Sequence, residues 1–276
     1  VALMLAGGLL LGLYCTISPS LVQPFMRKVT GTNDIAYGHT TSFGVIVGAL
    51  AGKLFKNKAI ETSESMKIPE KLSFLKDITV STAIVMVLLY VLGVAIAGPD
   101  WVQENISNGT EPFLYALSQG ALFGVGITIV LTGVSMMIAE ITEAFKGIAE
   151  KVVPNAVPAL DCPVVFNYAP TAVMIGFLSC LGTMMLCVVI FGAIGFYALT
   201  PPVITCFFGG GPAGVFGNST GGWRGAVIAG VVAGLLLAFG QALTVGNLEN
   251  TVADFARWSN DFDYSTFPFF FQQILK

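Results

Sequence analysis

The chain has 276 residues, 55% hydrophobic and only 11% charged, with a net charge of −3. A soluble domain carries about 25% charged residues, so a chain this poor in charge, with a mean hydropathy of +0.81, lacks the polar surface to stay in water. The 13 Lys and Arg are outnumbered by 16 Asp and Glu and form no basic, aromatic patch, which excludes nucleic-acid binding.

Val1 to about Phe25 is apolar and long enough to span a bilayer, closed by Arg27 and Lys28. The run opens at Val1 with no signal-peptide pattern and reads as part of an internal fragment. A polar stretch, Val29 to Thr41, holds Asp34, Tyr37 and the single histidine, His39. Ser42–Phe55 is apolar again but short. As a helix it would reach roughly 21 Å, against a hydrocarbon thickness of about 30 Å. Basic residues flank both sides (Arg27 and Lys28, then Lys53, Lys56 and Lys58), and positive charge marks the cytoplasmic face. The segment is therefore expected to dip in and return. Non-helical backbone at membrane depth is tolerated only when buried in protein or lining a cavity, which makes 30–42 a site candidate.

The loop Gly52–Asp77 carries six lysines and is expected on the cytoplasmic side. Ile78–Gly98 reads as a span and Pro99–Pro112, free of Lys and Arg, as an outer loop. Phe113–Ala139 returns inward. Glu140–Val152 has Ile141, Ala144, Phe145 and Ile148 on one face and Glu143, Lys146, Glu150 and Lys151 on the other, and is expected to lie along the inner interface as a separate amphipathic helix. Pro154, Pro158, Pro163 and Pro170 preclude an ordinary helix over 153–171. Ala172–Thr200 spans, Pro201–Ala226 is glycine-dense and broken, and Val227–Val245 spans again. The tail reads as mixed, with Phe267, Phe269, Phe270 and Phe271 suited to an interface.

The fold class is all-α integral membrane: a polytopic helical bundle with re-entrant segments and inverted repeats. Broken segments in corresponding places of two halves are the sequence pointer to that design, and the stretches around His39 and around Gly209–Gly217 are the candidate pair. The chain divides into 1–77 (end of a first repeat, re-entrant segment and linker), 78–152 (two spans and the amphipathic helix) and 153–276 (core of a second repeat).

Asp161, between Leu160 and Cys162, is the sharpest chemical signal, as no other acid lies between Lys151 and Arg224. A carboxylate at membrane depth costs about 2.5–3.5 kcal/mol on insertion scales and so faces a cavity or binds something. It suits a polyhydroxyl ligand or a proton relay; the structural alternatives are a helix cap or a partner for Arg224. His39, with Thr40 and Thr41, offers donors and acceptors, and a packed structural histidine is the competing reading. With no second His or Cys near it in sequence, a metal is not expected. Gly209, Gly211 and Gly214 spell GxGxxG without the strand, helix and acid that a dinucleotide needs; backbone meeting a ligand at Gly211, Gly214 and Phe216 is the better expectation. Gly44, Gly48 and Gly52, Gly120 and Gly124, and Gly230 and Gly234 recur every four residues and predict close helix contacts. The cysteines Cys15, Cys162, Cys180, Cys187 and Cys206 include no CxxC pair and read as buried small hydrophobes. Sequons at Asn105, Asn108 and Asn218 read as chance. No Ser/His, Asp/Asp or HExxH arrangement supports an intramembrane enzyme.

Several blocks resemble one family. They are Asp161-Cys162-Pro163-Val164-Val165-Phe166 with Ala169-Pro170-Thr171-Ala172-Val173, Gly214-Val215-Phe216-Gly217-Asn218 with Gly221-Gly222-Trp223-Arg224, Val80–Met86, and Ile138–Phe145. In order and spacing they are similar to the ascorbate-specific permease (EIIC) of the phosphoenolpyruvate-dependent phosphotransferase system. The resemblance implies an internal portion of such a permease, without its first third and final helices. It implies a multi-pass protein of the bacterial inner membrane, a homodimer with inverted repeats, and elevator-like movement of L-ascorbate or a similar sugar acid. Soluble EIIA and EIIB partners then phosphorylate the sugar, and this chain supplies no phosphoryl-accepting residue and needs no cofactor. The family's Gly-His pair maps onto Gly38-His39 and its carboxylate onto Asp161, while Thr40 replaces an amide. The resemblance thus puts substrate contacts at His39, Thr40 and Asp161. The rival readings are a phosphotransferase permease for another sugar, which Thr40 favours, and an ion-coupled transporter with Asp161 as proton relay.

Overall fold

The computed structural model describes residues 2–55, 61–66, 71, 74, 77–248 and 261–265. Helix dominates, as composition and segment length require. In chain order come α1 (Ala2–Thr30), β1 (Ala36–Tyr37), α2 (Ser42–Gly52), α3 (Ile78–Ala97), α4 (Pro99–Asn105), α5 (Pro112–Lys151), β2 (Ala159–Leu160), α6 (Pro170–Ala193), α7 (Val203–Thr205) and α8 (Gly211–Thr244). Five stretches are long and apolar enough to cross a membrane: Met4–Thr30, Ile78–Ala97, Pro112–Lys151, Pro170–Ala193 and Val203–Thr244. Their outward faces stay apolar, with Leu9 66% and Val189 66% exposed, as hydrocarbon demands and water would penalise. The aromatic cluster at 267–271 and Lys56, Lys58 and Lys67 lie outside the described residues.

Two compact units emerge. One, 67–139, is a helical hairpin. Asp77 starts α3 by accepting from the Val80 amide at 2.9 Å, and Glu111 starts α5 by accepting from the Phe113 and Leu114 amides. Gly120 and Gly124 let the helices touch: a Cβ on Gly120 would lie 2.4 Å from Val87, and one on Gly124 2.6 Å from Ala83. Val94, Val102 and Ala116 close the far end. The helix α5 continues to Lys151 without interruption. The expectation of a separate interfacial helix over Glu140–Val152 is corrected here. The segment carries helix-favouring residues with no Gly-Pro break after Ala139, so the span runs on as one helix of about 60 Å. A Glu143–Lys146 ion pair at 2.6 Å lies on its exposed face.

The other unit, 1–66 and 140–276, holds the core. Its frame is α6, α8 and the short α2, packed through glycine. The expected break within Pro201–Ala226 falls at Gly221 and Gly222, the latter with φ 65° and ψ −158°. There the chain turns back on itself. Gly217 and Gly225 would stand about 12 Å apart along a straight helix, yet a Cβ on Gly217 would come within 2.3 Å of the Gly225 carbonyl. The apolar stretch Val203–Thr244 is therefore a tight hairpin with arms 203–220 and 223–244. A Cβ on Gly48 would meet Ala229 at 3.0 Å, one on Gly230 the Gly176 carbonyl at 2.5 Å, and one on Gly234 the Cys180 carbonyl at 2.6 Å. The fourfold glycine spacing thus marks helix contacts as expected. Four of the five cysteines are buried and free, whereas Cys15 is exposed on α1, because that helix buries little beyond Val22, Phe25 and Met26.

Three anchors hold the loop remnant 61–66 on this frame. Glu64 accepts from the Thr171 amide and hydroxyl, both at 2.9 Å, and from the Ala172 amide at 3.2 Å. Those amides are the orphan donors at the start of α6. The Ser63 amide donates to Asn218 Oδ1 at 2.9 Å, and the Trp223 amide to the Glu61 carbonyl at 3.1 Å.

Candidate functional site

Two interruptions of helix meet in the core. Residues 31–41 and 153–169 leave α-helical conformation and satisfy one another in part: β1 and β2 are parallel, with Ala36 opposite Ala159 and Tyr37 opposite Leu160. The Ala36 amide donates to the Pro158 carbonyl at 2.9 Å and the Gly38 amide to the Leu160 carbonyl at 2.8 Å. Free backbone groups at such a depth cost several kcal/mol each, so the pairing is what permits both helices to break. The hydrogen-bonding partner of the His39 stretch is the stretch before Asp161, whose prolines stop a helix from competing for those carbonyls.

Parallel register puts the residues after the two strands at the same end. Gly38 is needed there, since a Cβ on it would lie 2.9 Å from that of Ala159. His39 and Asp161 follow, with Nε2 and Oδ1 3.6 Å apart. Asp161 also begins the turn of 3-10 helix Cys162–Tyr168, accepting from the Cys162 amide at 2.7 Å. The capping alternative therefore holds beside the histidine contact. The Arg224 alternative does not: its guanidinium lies over the Trp223 ring, 5.3 Å from the centroid.

A second carboxylate, which the sequence reading missed, reaches the same nitrogen. Asp261 Oδ2 stands 3.9 Å from His39 Nε2 and accepts a short hydrogen bond from the Thr40 hydroxyl. It arrives on the turn 261–265, seated by Phe262. That ring fills the space that a side chain at Gly44 or Gly209 would take, at 2.1 and 2.9 Å from the respective Cβ positions. Asp263 on the same turn caps α2, accepting from the Phe43 amide at 3.0 Å and from the Tyr14 hydroxyl. Burial raises its carboxyl to about 6, while the Phe43 amide and Tyr14 hydroxyl pull it the other way. No local signal in the sequence marked Asp261, whose neighbours Ser259, Asn260 and Asp263 are polar too.

The histidine is oriented from behind. Its Nδ1 lies 2.8 Å from Thr41 Oγ1, which the buried Tyr37 hydroxyl approaches at 2.6 Å. Carboxylates on both sides of Nε2 place a proton on that nitrogen, because a lone pair there would face two negative charges. At 3.6 and 3.9 Å neither contact is a hydrogen bond by distance, so the Nε2–H remains available to a ligand. Asp161, with a 61% exposed side chain, is the most open group. Cys162 lies beside them: His39, Asp161 and Cys162 present donor atoms within 4.8 Å of one another, a set that could hold a metal ion. The expectation that no second ligand stands near His39 is corrected by the strand pairing, which imports Cys162 from another part of the chain.

Not every predicted residue joins this cluster. His39, Thr40 and Asp161 do. Gly211 and Gly214 are buried in helix packing, where a Cβ would lie 3.0 Å from Val173 and 2.3 Å from the Ala172 carbonyl respectively. Phe216 is also fully buried and meets the Tyr37 ring edge-on, the centroids 5.3 Å apart.

Residues 1–263 match the family model described as PTS system sugar-specific permease component. The chain is 31% identical over 261 residues to the ascorbate-specific PTS system EIIC component of Mycoplasma pneumoniae, covering 85% of this chain. It spans about 39% of that relative's length. The chain therefore belongs to the sugar-specific permease components of the phosphotransferase system.

Proposed function

We propose that the protein carries L-ascorbate, or a closely similar sugar acid, across the bacterial inner membrane for phosphorylation by soluble EIIA and EIIB components. The observation that carries this reading is the cluster at the strand ends, where His39 Nε2 and the Asp161 carboxylate stand 3.6 Å apart. One donor beside open acceptors is what a polyhydroxyl ligand needs, and the name of the Mycoplasma relative supplies the sugar acid. His39, Thr40 and Asp161 are the proposed substrate contacts, Thr40 as the hydroxyl that anchors Asp261. Phe216 contributes by packing edge-on against Tyr37, and Gly211 and Gly214 by letting the first hairpin arm approach α6. No phosphoryl-accepting role is assigned to the chain, and chemistry falls to the partners. A homodimer with inverted repeats, whose core moves elevator-like, completes the proposal. The family match favours this over an ion-coupled transporter with Asp161 as relay.

The test is uptake of labelled ascorbate by cells without their own permease but with the soluble components, complemented with the full-length parent gene. Accumulation as a phosphate ester is expected. Uptake that persists without those components and collapses with the proton gradient would contradict it.

A further inference from the structure

The cluster holds more negative charge than one substrate carboxylate contact needs. Asp161 and Asp261 stand on either side of His39 Nε2, at 3.6 and 3.9 Å. Among the described residues neither has a Lys or Arg within 4.0 Å. Each keeps one oxygen with no hydrogen-bond partner among the described residues: Asp161 uses Oδ1 toward the Cys162 amide, and Asp261 uses Oδ2 toward Thr40. The oxygens nearest Nε2 are the ones that already accept these bonds, and the other oxygen of each carboxylate remains to accept from one of two adjacent hydroxyls, with one hydroxyl oxygen accepting from His39. An enolate placed there would meet two like charges across a few ångström, which is unfavourable.

Ascorbate has both ends: a ring carrying the ionised enediol and a side arm carrying a neutral vicinal diol. Resting on the functional reading above, we propose that Asp261 is a second substrate-binding carboxylate. With Asp161 it grips the diol arm, so that the ionised ring faces away from His39. Asp261 can reach this place because Phe262 fixes the turn against Gly44 and Gly209, while its own side chain stays 22% exposed. Its bond to Thr40 is made by Oδ2, the oxygen 3.9 Å from His39 Nε2, which leaves Oδ1 for the ligand, so Thr40 sets the carboxylate's angle.

The experiment is competition against labelled L-ascorbate on the purified full-length parent, using unlabelled ascorbate and 5,6-O-isopropylidene-L-ascorbate, in which the diol is blocked. Wild type is expected to bind the blocked compound at least about tenfold more weakly. D261N and D261S should weaken ascorbate about tenfold and leave the blocked compound nearly unchanged, so the ratio collapses. Equal weakening of both ligands would assign Asp261 a merely structural role and overturn the proposal. Equal binding of both ligands by wild type would overturn it regardless of how the variants fold. Wild type that binds no ascorbate at all would instead overturn the functional reading, and the ligand named here with it.

Discussion

Asp263 and Asp261 sit two residues apart and do different work. Asp263 is 1% exposed and holds the first turn of α2, taking the Phe43 amide and the Tyr14 hydroxyl. Thr41, at the cap position of α2, makes no side-chain cap bond, because its hydroxyl serves Tyr37 and His39 instead. The cap is therefore imported from 220 residues away. D263A should lose a charged cap and strand a buried amide, costing about 2 kcal/mol. Reduced thermal stability of the purified parent, with an unaltered ratio of ascorbate to diol-blocked binding, is the expected result. Stability equal to wild type would contradict the cap.

How much of this was legible residue by residue follows from the same chemistry. Asp161 and His39 stood out because a charged or titratable group in an apolar, proline-broken stretch needs a reason to be there. Asp261 gave no such signal, since its neighbours include Asp263, Asn260 and Ser259 and read as an ordinary polar tail. Nothing local says that Phe262 will dock on glycines more than 50 residues away in sequence. Gly211 and Gly214 were legible as glycines that matter, but sequence could not tell backbone offered to a ligand from backbone offered to α6.

At the scale of elements, glycine spacing predicted close contact, and the contacts appear at Gly48, Gly120, Gly124, Gly230 and Gly234. The strands had no such signal, because two-residue segments have no periodicity to read. Their pairing is nonetheless what brings His39 and Asp161 together. The hairpin turn at Gly221 and Gly222 is the other hinge of the design. Gly222, at φ 65° and ψ −158°, occupies a region that is essentially glycine's alone. A Cβ on Gly221 would meet the Gly52 carbonyl at 2.1 Å, so α2 is tied to the same turn. G222A should cost about 1–3 kcal/mol and lower the amount of folded parent in the membrane. Wild-type abundance and thermal stability would contradict the packed hairpin. Glu64 closes the element scale: a carboxylate at the start of α6 complements both the free amides and the helix dipole.

For the whole molecule, the core unit is a set of helices that approach through glycine and stop where polar groups are needed. Dense packing at Gly48, Gly217 and Gly230 leaves few ways to rearrange internally, which suits a core that moves as one body in the proposed elevator. Two helix breaks, joined by parallel strands, set His39 and Asp161 side by side, and the turn 261–265 brings Asp261 to them. The measurement that tests this account most directly is labelled-ascorbate uptake by the full-length parent carrying D161N, with membrane abundance quantified beside it. A fall of at least about tenfold at unchanged abundance is the predicted result, since the amide replaces the most open acceptor at the strand ends. Wild-type uptake by that variant would contradict the assignment of the strand-end cluster as the substrate site.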